Sequence, residues 1–312
     1  MKVSTIIVRL SFLSLITYFL LTSCDHKMSE EEVAAYKVAH QKWQQERIEK
    51  LKAPNGYVNL AGLYILNKGL STFGSDSSNK IVFPEKAPAF LGKLRVTNTK
   101  SVLYEAPSEP VVMMKETGKD SIWEAPALQL VYDDSMHMSL QMSHEALTWF
   151  VIKRGDELAV RLRDFENPKL DSLQSIDSYP VDVNWVVTAE FEPYDPPKVL
   201  KIQNILGITY DQPSPGRLVF EKDGEEYALD VTEEGDEFFV TYADETTGEE
   251  TYGGGRYMYT TKPNSSGEVV MDFNKGYNPP CVYTPFATCP LPPPQNKLKV
   301  AILAGEKFAR HY

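Results

Sequence analysis

"GRLVFEKDGEEYALDV", residues 216–231, decides the fold. Apolar residues alternate on both sides of Asp223-Gly224. A type I′ turn needs φ > 0 at its two central positions, and Asp-Gly is among the pairs that take it most readily. The stretch therefore reads as an antiparallel hairpin, and its neighbours continue the pattern. Downstream lie "FFVTYAD", "RYMYTT", "EVVMDFN" and "LKVAIL"; upstream lie "NWVVTAEFEP" and "KVLKIQN". Each is short, β-rich and bounded by Gly, Pro, Asn or Asp.

Further upstream come "KIVFP", "KLRVTN", "PVVMMK", "LQLVY", "HMSLQM", "TWFVIK" and "ELAVRLRD". No long helical period separates them, which argues against a parallel α/β fold. A stretch rich in Pro and Asp, residues 164–180, interrupts the series. The expectation is a mainly β protein, an antiparallel sandwich or barrel-like body, with lobes over 55–168 and 169–312. One large sandwich is the alternative. Before the strands, "SEEEVAAYKVAHQKWQQERIEKLKAP" reads as an amphipathic helix within 24–54. Ser29 and Glu32 form a capping box, Val33, Tyr36, His40 and Trp43 make one stripe, and Pro54 closes it.

The first 23 residues carry Lys2, Arg9 and the apolar run "LSFLSLITYFLL", placed where a secretory leader belongs. Leu21-Thr22-Ser23-Cys24 resembles the lipobox of bacterial lipoproteins. That resemblance implies cleavage before Cys24, a lipid on its sulfur, and an extracytoplasmic domain tethered to a membrane by that lipid. "SEEE" also resembles the acidic tags that send some lipoproteins to the outer cell surface. The full chain has a net charge of −11, and loss of Lys2 and Arg9 makes it more acidic by two. Such a surface repels phosphate backbones, so nucleic acid is not an expected partner.

Residues 253–307 hold "GGGRYMYTTKP", "GEVVMDFNKGYNPPCVYTPFATCPLPPPQNKL" and "AGEK" in order. These resemble the bacterial domain of unknown function 1684 family; "NLAGLYILNKGLSTFGSDSSNKIVFP", residues 59–84, is a weaker match to its entry segment. The resemblance implies no activity. The same entry segment is faintly similar to the opening of a forkhead-associated domain, but Ser75 stands where that family has its phosphate-binding arginine.

Prolines fix φ and remove hydrogen-bond donors, so Pro279, Pro280, Pro285, Pro290 and Pro292 to Pro294 hold an extended strap. It either braces the sheet or walls a ligand site. Arg256 follows three glycines and is the expected bidentate contact for a small polar or carboxylate-bearing ligand. Asp272 and Asn274 are expected to share a strand face, with Tyr277, Asn278 and Asn296 as further ligand contacts. A structural pairing of Arg256 with Asp272 is the competing expectation. A cell-envelope hydrolase with Asp272 and Glu306 as acid and base is the second functional reading. A structural or partner-binding lipoprotein is the third. Cys281 and Cys289 are candidates for a disulfide or for buried thiols. No G-x-S-x-G, H-E-x-x-H, P-loop or Rossmann pattern is present, and no cofactor is implied. His137 and His144, an odd spacing apart on one strand, make no metal-ligand set.

Overall fold

A computed structural model describes residues 28–98 and 100–308, so Cys24 and the leader lie outside the described residues. Helix α1 (Glu30–Lys52) starts as its sequence demands: the Ser29 hydroxyl accepts from the Glu32 N–H, and the Glu32 carboxylate accepts from the Ser29 N–H. Glu46 pairs at 3.7 Å with Lys42, one turn before it. Among the described residues no helix is long and apolar enough to cross a membrane.

The body is mainly β, in two barrel-like lobes. The first sheet contains β1 (Leu60–Leu66), β2 (Gly69–Gly74), β3 (Ile81–Val82), β4 (Gly92–Asn98), β5 (Ser101–Glu105) and β6 (Met113–Glu116). It continues with β7 (Ile122–Glu124), β8 (Leu128–Asp133), β9 (Met138–His144), β10 (Leu147–Arg154) and β11 (Glu157–Asp164). Its main path runs β1-β11-β10-β9-β8-β5-β4-β2-β3, antiparallel except for the β2–β3 pair. Trp149, Phe73 and Phe83 meet edge to face or tilted, with centroids 5.4–5.7 Å apart, at the centre of its core.

The second sheet contains β12 (Val186–Gln203), β13 (Thr209–Lys222), β14 (Glu225–Glu234), β15 (Glu237–Tyr242), β16 (Arg256–Thr261) and β17 (Glu268–Asp272), in the order β16-β15-β14-β13-β12-β17. The β13–β14 turn is the one the sequence specifies: Asp223 has φ 54° and Gly224 φ 82°, with Lys222 opposite Glu225. "LKVAIL" departs from expectation. It joins no strand ladder; Leu298 N–H donates to Ala243 O at 2.8 Å, and the carbonyls of Ile302 and Ala304 accept from Arg256. A buried backbone acceptor needs a partner, and here a side chain supplies it.

Candidate functional site

Strand residues alternate between faces, so the second sheet has two different sides. Leu229, Val231, Phe238, Val240, Tyr242 and Met258 point into its core. The residues between them, Asp230, Thr232, Phe239, Thr241, Tyr257 and Tyr259, line a cavity of about 910 Å³. That volume falls in the range of small-molecule sites.

The proline-rich strap crosses this second face. Pro280, Ala287, Cys289, Pro290 and Pro293 are part of the cavity wall. Tyr257 fixes the strap by donating its hydroxyl to Pro290 O at 2.6 Å, and Tyr277 pairs with Tyr257 through the backbone. Gly255, at φ 79°, lets the chain pass under it: a Cβ there would lie 2.5 Å from Pro292 Cγ. The strap therefore braces the sheet and walls a cavity at once. The first lobe contributes the β10–β11 hairpin to the lining, through Lys153, Arg154, Asp156 and Arg161, with Tyr57 ahead of β1.

The charges in this space are unequally matched. Asp230 accepts from Tyr194 at 2.6 Å, Gln295 at 2.7 Å and Lys198 at 2.9 Å. Burial opposes its charge, but these partners hold its pKa below the ordinary value. Glu234 accepts from Tyr259 at 2.6 Å, and Glu233 pairs with Lys262 at 2.7 Å. On the hairpin Lys153 is paired with Asp134 at 2.7 Å, but the two arginines are different. Arg161 makes no ion pair or hydrogen bond among the described residues, and its Nε is buried without a partner. Burial, then Arg154 and Arg163, lower its pKa to about 10. Arg154 donates to Lys153 O at 2.9 Å and has no carboxylate partner among the described residues. Both arginines are partly buried; a partly buried cation without a counter-ion is costly, so two beside one another mark a place for an anion.

Arg256 is a correction. It is fully buried and does not line the cavity. Its Nη2 lies 2.7 Å from Asp244 Oδ2 and 3.0 Å from Ile302 O, and Nη1 donates to Ala304 O. It is thus engaged by Asp244 and not by Asp272. The reason is parity: Arg256 is in phase with Met258, on the core face, while Tyr257 and Tyr259 face the cavity.

Asp272 and Asn274 do not share a strand face either. β17 ends at Asp272, whose Oδ1 caps a 3₁₀ turn over Phe273–Lys275 by accepting from Asn274 N–H at 3.2 Å. Asn274 is buried and bonds to both backbone groups of Asp182. Asn296, also buried, clamps Asp230 and Thr241 backbone groups at 2.8 Å. Asn278 is buried and donates to Lys307 O. Of the expected ligand contacts, Tyr277 and Asn296 line the cavity; Asn296 does so with its amide already engaged.

Asp272 and Glu306 contact different residues of α1. Asp272 accepts from Tyr36 at 2.7 Å and Glu306 from Arg47 at 3.1 Å. Those partners lie about 16 Å apart along α1 at 1.5 Å per residue. Burial pushes the Glu306 carboxyl up, with Arg47 and the Asn278 N–H pulling it back. Cys281 and Cys289 are free thiols, with Cys281 N–H donating to Cys289 Sγ at 3.0 Å. Sequence reasoning passed over Arg161, Arg154 and Tyr57. The available signal was "ELAVRLRD", where Arg161 and Arg163 share one face of a strand whose other face, Leu158, Val160 and Leu162, is core.

The profile "Protein of unknown function (DUF1684)" matches residues 171–307, which include the strap, the second sheet and the 253–307 motif. Residues 59–84 lie outside that match. An uncharacterised protein of Haloarcula marismortui, solved in solution by NMR, is 30% identical. The similarity covers 46% of this chain and 82% of that one, with a TM-score of 0.39. No curated protein shows significant similarity to the chain. The family segment supplies the aromatic wall and the strap, while the unpaired arginines come from the part of the chain before it. Through residues 171–307 the chain belongs to the family of unknown function DUF1684.

Proposed function

We propose that the protein binds a small organic anion in the cavity between its lobes, with Arg161 and Arg154 receiving the anionic group. One observation carries this reading. Arg161 lines a large cavity and has no counter-ion among the described residues, whereas Asp230, Glu233 and Glu234, which line the same cavity, are already partnered. A bound carboxylate or phosphate would supply the missing hydrogen bonds and charge. Anions that bind only the folded state stabilise it by RT ln(1 + c/Kd), with c the free anion concentration, and so raise its melting temperature as c rises. Small carboxylates and phosphate monoesters, titrated into the purified protein, should include some that do so. Arg161→Gln should remove that shift. A shift that persists unchanged in the variant rules out this site.

The lipobox-like Leu21-Thr22-Ser23-Cys24 supports placing this domain outside the cytoplasm, tethered to membrane lipid through Cys24. Metabolic labelling with a radioactive fatty acid tests the tether. Label should enter the wild-type chain and not Cys24→Ala; equal labelling of both overturns it.

A further inference from the structure

The anion site is continuous with an aromatic wall, and the wall narrows the ligand class. Phe239 lies 5.0 Å from both Tyr257 and Tyr259, Tyr277 lies 5.8 Å from Tyr257, and the rings of Tyr277 and Tyr259 are nearly parallel at 14°. Four rings thus form one patch on the cavity side of β15, β16 and the strap.

The hydroxyls on this patch are engaged: Tyr257 donates to Pro290 O and Tyr259 to Glu234. What remains for a ligand is ring surface. The two carboxylates next to the patch, Glu233 and Glu234, each already hold a partner. A sugar acid would bury hydroxyls against carbon and lose their hydrogen bonds.

The patch and the arginines are within reach of one another. Tyr57, Arg154, Arg161, Tyr210 of β13 and Tyr259 all line the same cavity. Tyr57, Tyr210 and Tyr259 are each 38% exposed, so their rings are available to the lumen.

We infer that the ligand is a planar aromatic anion: its acidic group lies on Arg161 and Arg154, and its ring system lies against Tyr259 and its neighbours. This inference rests on the anion-binding reading above. Ring–ring contact discriminates an aromatic from a saturated ring of the same shape by roughly tenfold.

The test uses isothermal titration of the purified protein with four probes. Naphthalene-2-carboxylate and decalin-2-carboxylate share charge and skeleton, naphthalene-2-methanol lacks the charge, and glucuronate is hydroxyl-rich. The expected result is naphthalene-2-carboxylate tightest, about tenfold ahead of the decalin acid. Tyr259→Leu should erase that preference, and Arg161→Gln should weaken both acids. If the two acids bind alike and both need Arg161, the anion site stands and the aromatic inference is overturned. A tighter glucuronate overturns it in favour of a sugar acid. If neither acid binds, or if Arg161→Gln changes nothing, the anion reading and this inference both fall. Comparing the two acids in the wild-type protein decides the matter even if Tyr259→Leu does not fold.

Discussion

Arg47 holds Glu306 and Tyr277 together: its Nε lies 3.1 Å from Glu306 Oε1, and its guanidinium carbon lies 4.3 Å from the centre of the Tyr277 ring. Nη2 also donates to Asn278 O at 2.9 Å, and Glu306 accepts from Asn278 N–H at 2.6 Å. One arginine on α1 therefore docks the helix onto the start of the strap.

The pH dependence of this contact has a definite sign. Burial raises the Glu306 pKa above its ordinary 4.5, with Arg47 opposing. The folded protein keeps that proton longer than the unfolded chain does. This group's contribution to stability is therefore full below about pH 4.5 and declines as pH rises through the folded value. Arg47→Met removes the opposing charge. Its cost, read from urea unfolding, should be small near pH 4 and grow to about 3 kcal/mol at neutral pH. A cost that does not vary with pH would assign Arg47 to packing on Tyr277 alone.

Arg256→Lys should behave as a core defect. The guanidinium bonds to Asp244, Ile302 and Ala304 at once, with neither member of the ion pair exposed. A lysine offers one point charge in place of that fork. The expected loss is about 3 kcal/mol in urea unfolding, with Asp244→Asn similar. Anion affinity, measured on the fraction that folds, should be unchanged; a selective loss of affinity would return Arg256 to the site.

Arg161→Gln should raise the stability of the ligand-free protein. Its pKa is lowered to about 10 by burial and by Arg154 and Arg163, so charge at this position is disfavoured at all pH values below that. A gain of roughly 1 kcal/mol corresponds to about 2–4 °C in Tm. Stabilisation coupled to loss of ligand response is the pattern of a residue kept for binding. A destabilised variant would show that Arg161 holds the lobe together instead.

Cys281 should react with iodoacetamide with a midpoint near pH 7. The hydrogen bond with Cys289 lowers its pKa to about 7, against burial and with help from Tyr252. Cys289, buried and pushed up, should stay unreactive. Cys289→Ala should move the midpoint back toward 9.0. An unmoved midpoint would assign the shift to Tyr252.

The β-turn at Asp223-Gly224 and the Ser29–Glu32 cap were legible because each depends on residues within a few positions of one another. Arg256 was misplaced for a different reason. The glycines before it suggested an open approach, while the alternation of "RYMYTT" already set it in phase with Met258. Its partner, Asp244, lies in a loop that no local pattern connects to it. Asp272 and Asn274 were read as strand neighbours because nothing in "VVMDFNKG" shows where the ladder stops; the Asp272 cap sets that end. Arg161 required knowing that two lobes face each other, a relation that arises from tertiary packing.

The second sheet also separates two kinds of change. Val240 and Met258 hold the lobe together, whereas Phe239, Tyr257 and Tyr259, one position away along each strand, touch the cavity. Across β15 and β16, alternate positions could diversify between relatives to accept new molecules. The residues between them would keep the scaffold as it is.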